Sequence, residues 1–254
     1  KKIFVKKTFI RNFSSLLISN ILMNLIGIFT TVIIVKNLST NDYGTYGLIL
    51  SIIISLKTFS SLGLSSVITR NIARNNCQST KDYSNSFVLS FFVSLLISCI
   101  TYFVMIFNII DISITVFLVM CGLLFVQTFT QNFQDVFFGL KRMEPVAFLN
   151  LLFSISMLSL ILVIPSLYFN LENVLFILFF SSLFRLMGMA FISFYYDFLN
   201  FSILKSSFTI KYSKQLLILA FPFYITALLS LVSNQFPIQF LAINSTNEEI
   251  AFFN

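Results

Sequence analysis

Three ionisable side chains sit among apolar neighbours, where a charge is expensive: Lys57, Asp135 and Arg185. An isolated charge at the centre of a hydrocarbon layer costs about 2.5–3.5 kcal/mol on insertion scales. Such residues therefore face water, a partner or the interior of a bundle. Lys57 and Arg185 fall near the middle of their apolar segments, about a dozen ångströms or more from either end at about 1.5 Å per residue, and cannot easily reach an interface. Two readings follow. The pair lines a cationic cavity that attracts an anionic group such as a phosphate or pyrophosphate, or one cation is neutralised in an internal ion pair with Asp135. Asp135 lies a few residues from the end of its segment, where a solvated carboxylate and a proton or ion relay are both open.

The segment that carries Asp135 also carries Gln127, Gln131 and Gln134, spaced by four and three residues, with Thr128 and Asn132 beside them. Amides at this spacing share a helix face. Facing a wet cavity they would hydrogen-bond sugar hydroxyls; facing neighbouring helices they would act as interhelical glue. Asn20 and Asn24, four residues apart on another segment, form a smaller pair with the same two readings.

Other chemistries are excluded. With no histidine in the chain, His-based triads and His-ligated metals have no basis. Cys77, Cys99 and Cys121 are odd in number, widely spaced and without a Cys-x-x-Cys pattern, so neither a disulfide framework nor a zinc site is indicated. No cofactor or metal is called for. A net charge of +7 suggests nucleic acid in a soluble protein, but here the basic residues fall in separate short loops without interleaved aromatics, so no nucleic-acid partner is expected.

The elements that position these residues follow from composition. Soluble domains keep roughly a quarter of their residues charged; here the charged fraction is 10%, the apolar fraction 57% and the mean hydropathy +0.95. Such a chain cannot cover a water-soluble globule and must be solvated largely by hydrocarbon. A span needs about 20 apolar residues, and seven segments qualify, at 14–35, 45–68, 85–107, 113–138, 146–168, 173–196 and 216–243. Of the sixteen Lys and Arg, thirteen fall on one side of this arrangement, from Lys1 to Lys214. The opposite side holds only Lys36, with Asp42, Asp111, Glu172, Glu248 and Glu249. The bias of Lys and Arg toward cytoplasmic loops then predicts a cytoplasmic N-terminus in a bacterial-type inner (plasma) membrane.

An internal repeat extends the architecture. Ser39-Thr40-Asn41-Asp42 follows the first span and Ser245-Thr246-Asn247-Glu248 follows the seventh, the surrounding segments aligning with one residue gapped. Six helices separate the copies, which gives both the same orientation, the parallel-repeat arrangement of many transporters. The expectation is an all-α integral membrane protein: an N-terminal six-helix lobe over residues 1–196, a cytoplasmic interfacial linker over 197–215, and the start of a C-terminal lobe over 216–254. With a first residue that is not Met, the chain reads as a fragment of a protein of about twelve spans. In the linker, Lys205, Lys211 and Lys214 alternate with Phe198, Phe201, Leu204, Phe208 and Ile210, as an amphipathic interfacial helix or an irregular basic loop would.

The run from Ile33 to Gly47 resembles the first outer loop of Wzx-type polysaccharide flippases. So do Gly63-Leu64-Ser65-Ser66-Val67-Ile68-Thr69-Arg70, the Phe138–Met143 segment and the repeat start at Phe221-Pro222. The resemblance implies a two-lobed transporter of the multidrug/oligosaccharidyl-lipid/polysaccharide exporter superfamily. It would move an undecaprenyl-pyrophosphate-linked oligosaccharide between leaflets by alternating access, in O-antigen (lipopolysaccharide) or capsule assembly. It also leaves open proton or sodium coupling and a polysaccharide polymerase partner. Arg185 and Lys57 are cavity candidates by position. Relatives often carry an Asp after the Asn-Gln of the seventh span; here Asn234-Gln235 is followed by Phe236 and Pro237. A cation-coupled multidrug exporter would favour a carboxylate in the first or seventh span, which neither has. A membrane polymerase or glycosyltransferase would favour sizeable outer loops, and these are only a few residues long. No covalent chemistry is called for, so a transporter rather than an enzyme is expected.

Overall fold

The computed structural model describes residues 2–74, 79–106, 113–165, 169–195 and 209–253. Among these the chain is helical without strands: α1 (Lys2–Asn37), α2 (Thr40–Ser61), α3 (Leu64–Arg74), α4 (Ser79–Ile106), α5 (Ile114–Gly139), α6 (Glu144–Val163), α7 (Leu171–Tyr195), α8 (Ile210–Asn244) and α9 (Asn247–Phe253). Seven helices are long and apolar enough to cross a membrane, as the hydropathy pattern predicts, and the protein is a multi-pass α-helical membrane protein. A backbone in lipid must satisfy its polar groups internally, which leaves helices as the answer to these apolar runs.

Helix ends follow local chemistry. Ser39 is the N-cap of α2: its Oγ accepts the Asp42 amide at 3.1 Å and donates to the Asp42 carboxylate at 2.8 Å. Asn170 accepts the Asn173 amide at 2.9 Å at the start of α7, and Pro145 occupies the first turn of α6, where its missing N–H costs nothing. At α9 the Thr246 amide donates to Glu249 at 3.3 Å, and the Ile250 amide to the Thr246 carbonyl at 3.2 Å. The same role at α2 belongs to Ser39, whose carbonyl accepts the Tyr43 amide at 2.9 Å. By hydrogen-bonding role the repeat thus pairs Ser39 with Thr246 and Asp42 with Glu249, one residue on from the sequence identities.

Two elements differ from the hydropathy reading. The expected second span at 45–68 breaks into α2 and α3, because Leu62 and Gly63 both take left-handed backbone conformations, with φ of 48° and 69°. The seventh span begins at Ile210 rather than residue 216; Lys211 and Lys214 are exposed at its end and do not interrupt it. The first part of the expected linker, residues 197–208 with Phe198, Phe201, Leu204, Lys205 and Phe208, lies outside the described residues, as do Cys77 and Asp111.

α5 is central, packing on α2, α3, α4, α6 and α7. One core cluster gathers Ile34, Ile49, Ile53, Leu123 and Leu175 toward the end that bears Asp42 and Glu172, the acidic end. A second joins Leu64, Val67, Ile68 and Ile72 of α3 to Leu216 and Ala220 of α8 toward the opposite, basic end, which bears Arg70, Arg74, Lys141 and Arg142. A third packs Tyr83, Phe133, Phe137, Leu149 and Met189 between α4, α5, α6 and α7. The outward faces carry exposed Phe, Ile and Leu, as hydrocarbon solvation requires.

Candidate functional site

The intramembrane charges converge. Asp135, 1% exposed on α5, has its carboxylate Oδ1 held by the Ser65 hydroxyl of α3 at 2.7 Å and by the Gln131 amide at 2.9 Å. Thr69 adds a bond to the Asp135 carbonyl at 3.2 Å. These two contacts pin α3 against α5 just past the break in the second span. Lys57, half-buried one turn before that break, is near enough to interact electrostatically with both Asp135 and Arg185. The partners that hold Asp135 are thus a hydroxyl and an amide; neither cation is bonded to it.

Arg185 projects from α7 toward α6, its guanidinium 5.4 Å from the centroid of the Phe153 ring. That spacing suits a cation–π contact, which satisfies charge but accepts no hydrogen bond. The Nε of Arg185 is buried with no hydrogen-bond partner among the described residues. One turn away on α7, the Ser181 hydroxyl is also buried and unpartnered. An unpaired buried donor costs about 1–3 kcal/mol, more when charged. The Arg185 guanidinium is thus left short of an acceptor, while the Asp135 carboxylate near Lys57 already has two donors.

The glutamine stripe divides. Gln131 belongs to the Asp135 site. Gln134 donates to the Asn150 side chain of α6 at 3.0 Å, one turn from Phe153, so it is an interhelical tie beside the Arg185 contact. Gln127 is half-buried on the same helix. Thr128 bonds back to the Leu124 carbonyl, and the Asn132 side-chain Oδ1 accepts the Ser90 hydroxyl of α4 at 3.5 Å. Asn20 and Asn24 are not brought to this cluster: both are exposed on α1, which packs chiefly on α6 and is fixed there by the Ser19 hydroxyl on the Ala147 carbonyl at 2.7 Å.

Sequence reasoning missed the groups that pair across long separations. Ser65, Asn150 and Phe153 carry no signal of their own. Asp82, outside the expected third span, is 1% exposed and accepts Asn71 at 3.2 Å and the Tyr212 hydroxyl at 2.6 Å. Beside it, Asn85 accepts the Thr209 amide at 3.0 Å and the Ser213 hydroxyl at 2.8 Å. Together these clasp the start of α8 to α4 and α3. At the acidic end a cavity of about 280 Å³ is lined by Asp42, Thr45, Ser113, Asn170 and Glu172, but Glu172 is occupied by the Ser113 and Thr115 hydroxyls at 2.9 and 2.6 Å. Among the described residues no group of three or more His, Cys, Asp or Glu could hold a metal.

No curated protein and no solved structure matches the chain. The family model described as polysaccharide biosynthesis protein matches residues 9–254. With nearly its whole length matched, the chain belongs to the polysaccharide biosynthesis protein family, the family of Wzx-type flippases in the multidrug/oligosaccharidyl-lipid/polysaccharide exporter superfamily.

Proposed function

We propose that this protein is a flippase that carries an undecaprenyl-pyrophosphate-linked oligosaccharide repeat unit across the bacterial inner membrane. The observation that carries the reading is the acceptor deficit at Arg185, whose buried Nε has no partner among the described residues, with the Lys57 cation close enough to feel it. A pyrophosphate supplies the missing acceptors and the missing negative charge together, and charge-assisted bonds of this kind are among the strongest available. Nearby amides, Gln127 and Gln131 first, then face the sugar, while the lipid tail stays in the bilayer. The family match supports the polysaccharide setting; O-antigen and capsule assembly are the pathways that need such a step.

The basic end faces the cytoplasm, because thirteen of sixteen Lys and Arg lie toward it, so loading occurs there and release at the acidic end. Translocation proceeds by alternating exposure of the site, with no bond made or broken, so the protein is a transporter and not an enzyme. In a strain lacking its flippase, the wild-type protein restores surface polysaccharide and Arg185→Ala does not, although it inserts normally. Full export by Arg185→Ala would remove the site from the account.

A further inference from the structure

The hydrogen bonds of Asp135 are unevenly placed. The Ser65 hydroxyl and the Gln131 amide both donate to Oδ1, at 2.7 and 2.9 Å, and among the described residues no donor reaches Oδ2. Thr69 bonds the backbone carbonyl of Asp135 and leaves its side chain alone. An asparagine would fit the same place. Its side-chain oxygen would accept both donors, and its amino group would stand where Oδ2 meets none. The packing of α3 on α5 therefore needs an acceptor at position 135, but not a charge.

A carboxylate kept where a neutral amide would serve is expensive. Asp135 is 1% exposed, and removing a carboxylate from water is strongly unfavourable unless an opposite charge compensates it. That charge is Lys57, the ionised group with which Asp135 interacts, yet the two are not in ion-pair contact. Lys57 interacts in turn with Arg185, whose guanidinium rests on Phe153. Elsewhere around α5, Asp82 of α4 is engaged by Asn71 and Tyr212, and Arg70 and Arg74 of α3 are exposed at the basic end. Charge without contact acts through space: a fixed negative group beside two cations lowers the attraction that an anion arriving between them feels.

We infer that Asp135 is the residue that keeps the hold of Arg185 and Lys57 on an anionic cargo loose enough for release. Its charge opposes the cargo directly and offsets Lys57. Ser65 and Gln131 hold the carboxylate off the cations, so the site stays open where an internal ion pair would shut it. A pyrophosphate bound by two uncompensated cations in a low-dielectric interior would be held too tightly to turn over, because passage needs binding favourable enough to load and weak enough to leave. The inference deepens the transport reading, on which it rests, by assigning the group that sets cargo release.

The test is titration of the purified protein in detergent with inorganic pyrophosphate. Wild type is compared with Asp135→Asn, and Lys57→Gln with the double variant Lys57→Gln/Asp135→Asn. The second pair keeps the test readable if Asp135→Asn alone folds poorly with the Lys57 ammonium left uncompensated. In both pairs, loss of the carboxylate is expected to tighten binding about tenfold, the order that one unit charge several ångströms away supplies. The gain is smaller for inorganic phosphate, since repulsion scales with the charge of the anion. In proteoliposomes holding the lipid-linked oligosaccharide, Asp135→Asn lowers the half-saturating concentration and the maximal rate together, a pattern that loss of folded protein does not produce. Unchanged or weaker pyrophosphate binding in both pairs, equal gains for the two anions, or an undiminished maximal rate would overturn the role of Asp135 and leave the cargo reading standing. A wild type that binds no pyrophosphate would overturn the cargo reading, and this inference with it.

Discussion

The clasp at Asp82 and Asn85 and the cluster at Lys57 and Arg185 are both polar, both interior and both built from helices far apart in sequence, yet they are finished differently. Each acceptor in the clasp has its donors: Asp82 takes Asn71 and Tyr212, and Asn85 takes Thr209 and Ser213. In the cluster the one carboxylate is held by Ser65 and Gln131, while Arg185 meets an aromatic face and keeps a buried nitrogen without an acceptor. In a low-dielectric interior a saturated network fixes one packing, whereas an unsatisfied one costs stability unless something else completes it. On this difference rests the proposal that the clasp serves architecture and the cluster serves cargo.

The comparison is most severely tested by its two extremes. Arg185→Ala removes charge-assisted bonds worth about 1.5–3 kcal/mol each, so export in a flippase-null strain is expected to fall by about one to two orders of magnitude. Thermal stability of the purified protein should hold or rise, because a costly buried cation is gone. Asp82→Ala should do the reverse. It strands the Asn71 and Tyr212 donors at a cost of about 1–3 kcal/mol, read as a lower midpoint of thermal unfolding in detergent, with export falling only as the folded amount falls. A stable Asp82→Ala that cannot export would erase the distinction between the two regions.

How much of this was legible in the sequence divides along the same line. Features that depend on one segment at a time could be read: the apolar runs marked seven membrane-crossing helices, and Lys57, Asp135 and Arg185 stood out because lipid tolerates so few charges. The α2–α3 break was missed, because hydropathy is continuous across Leu62 and Gly63 and reads as one span. Pairings such as Asp82 with Tyr212 or Gln239 with Ser55 depend on packing between distant helices, and no single-segment pattern encodes them. The fates of Gln131 and Gln134 make the same point: three residues apart on one helix, one holds the Asp135 carboxylate and the other ties α5 to α6.

Smaller effects sharpen the picture. Lys57→Gln keeps a donor but loses the charge that Asp135 and Arg185 feel, so a milder defect than that of Arg185→Ala is expected, about tenfold in the same export assay. Gln134→Leu removes a single interhelical bond to Asn150; such bonds in membranes average about 0.6 kcal/mol, so both export and the unfolding midpoint should barely move. A Gln134→Leu defect as large as that of Arg185→Ala would place the cargo along the whole stripe instead of at the cations.

The most direct test is translocation by the full-length protein in proteoliposomes loaded with the lipid-linked oligosaccharide, followed by a saccharide-binding probe that reaches one leaflet only. The account predicts protein-dependent transfer that Arg185→Ala lowers by about one to two orders of magnitude and that excess inorganic pyrophosphate on the loading side competes away. Transfer by Arg185→Ala at the wild-type rate, untouched by pyrophosphate, would contradict it.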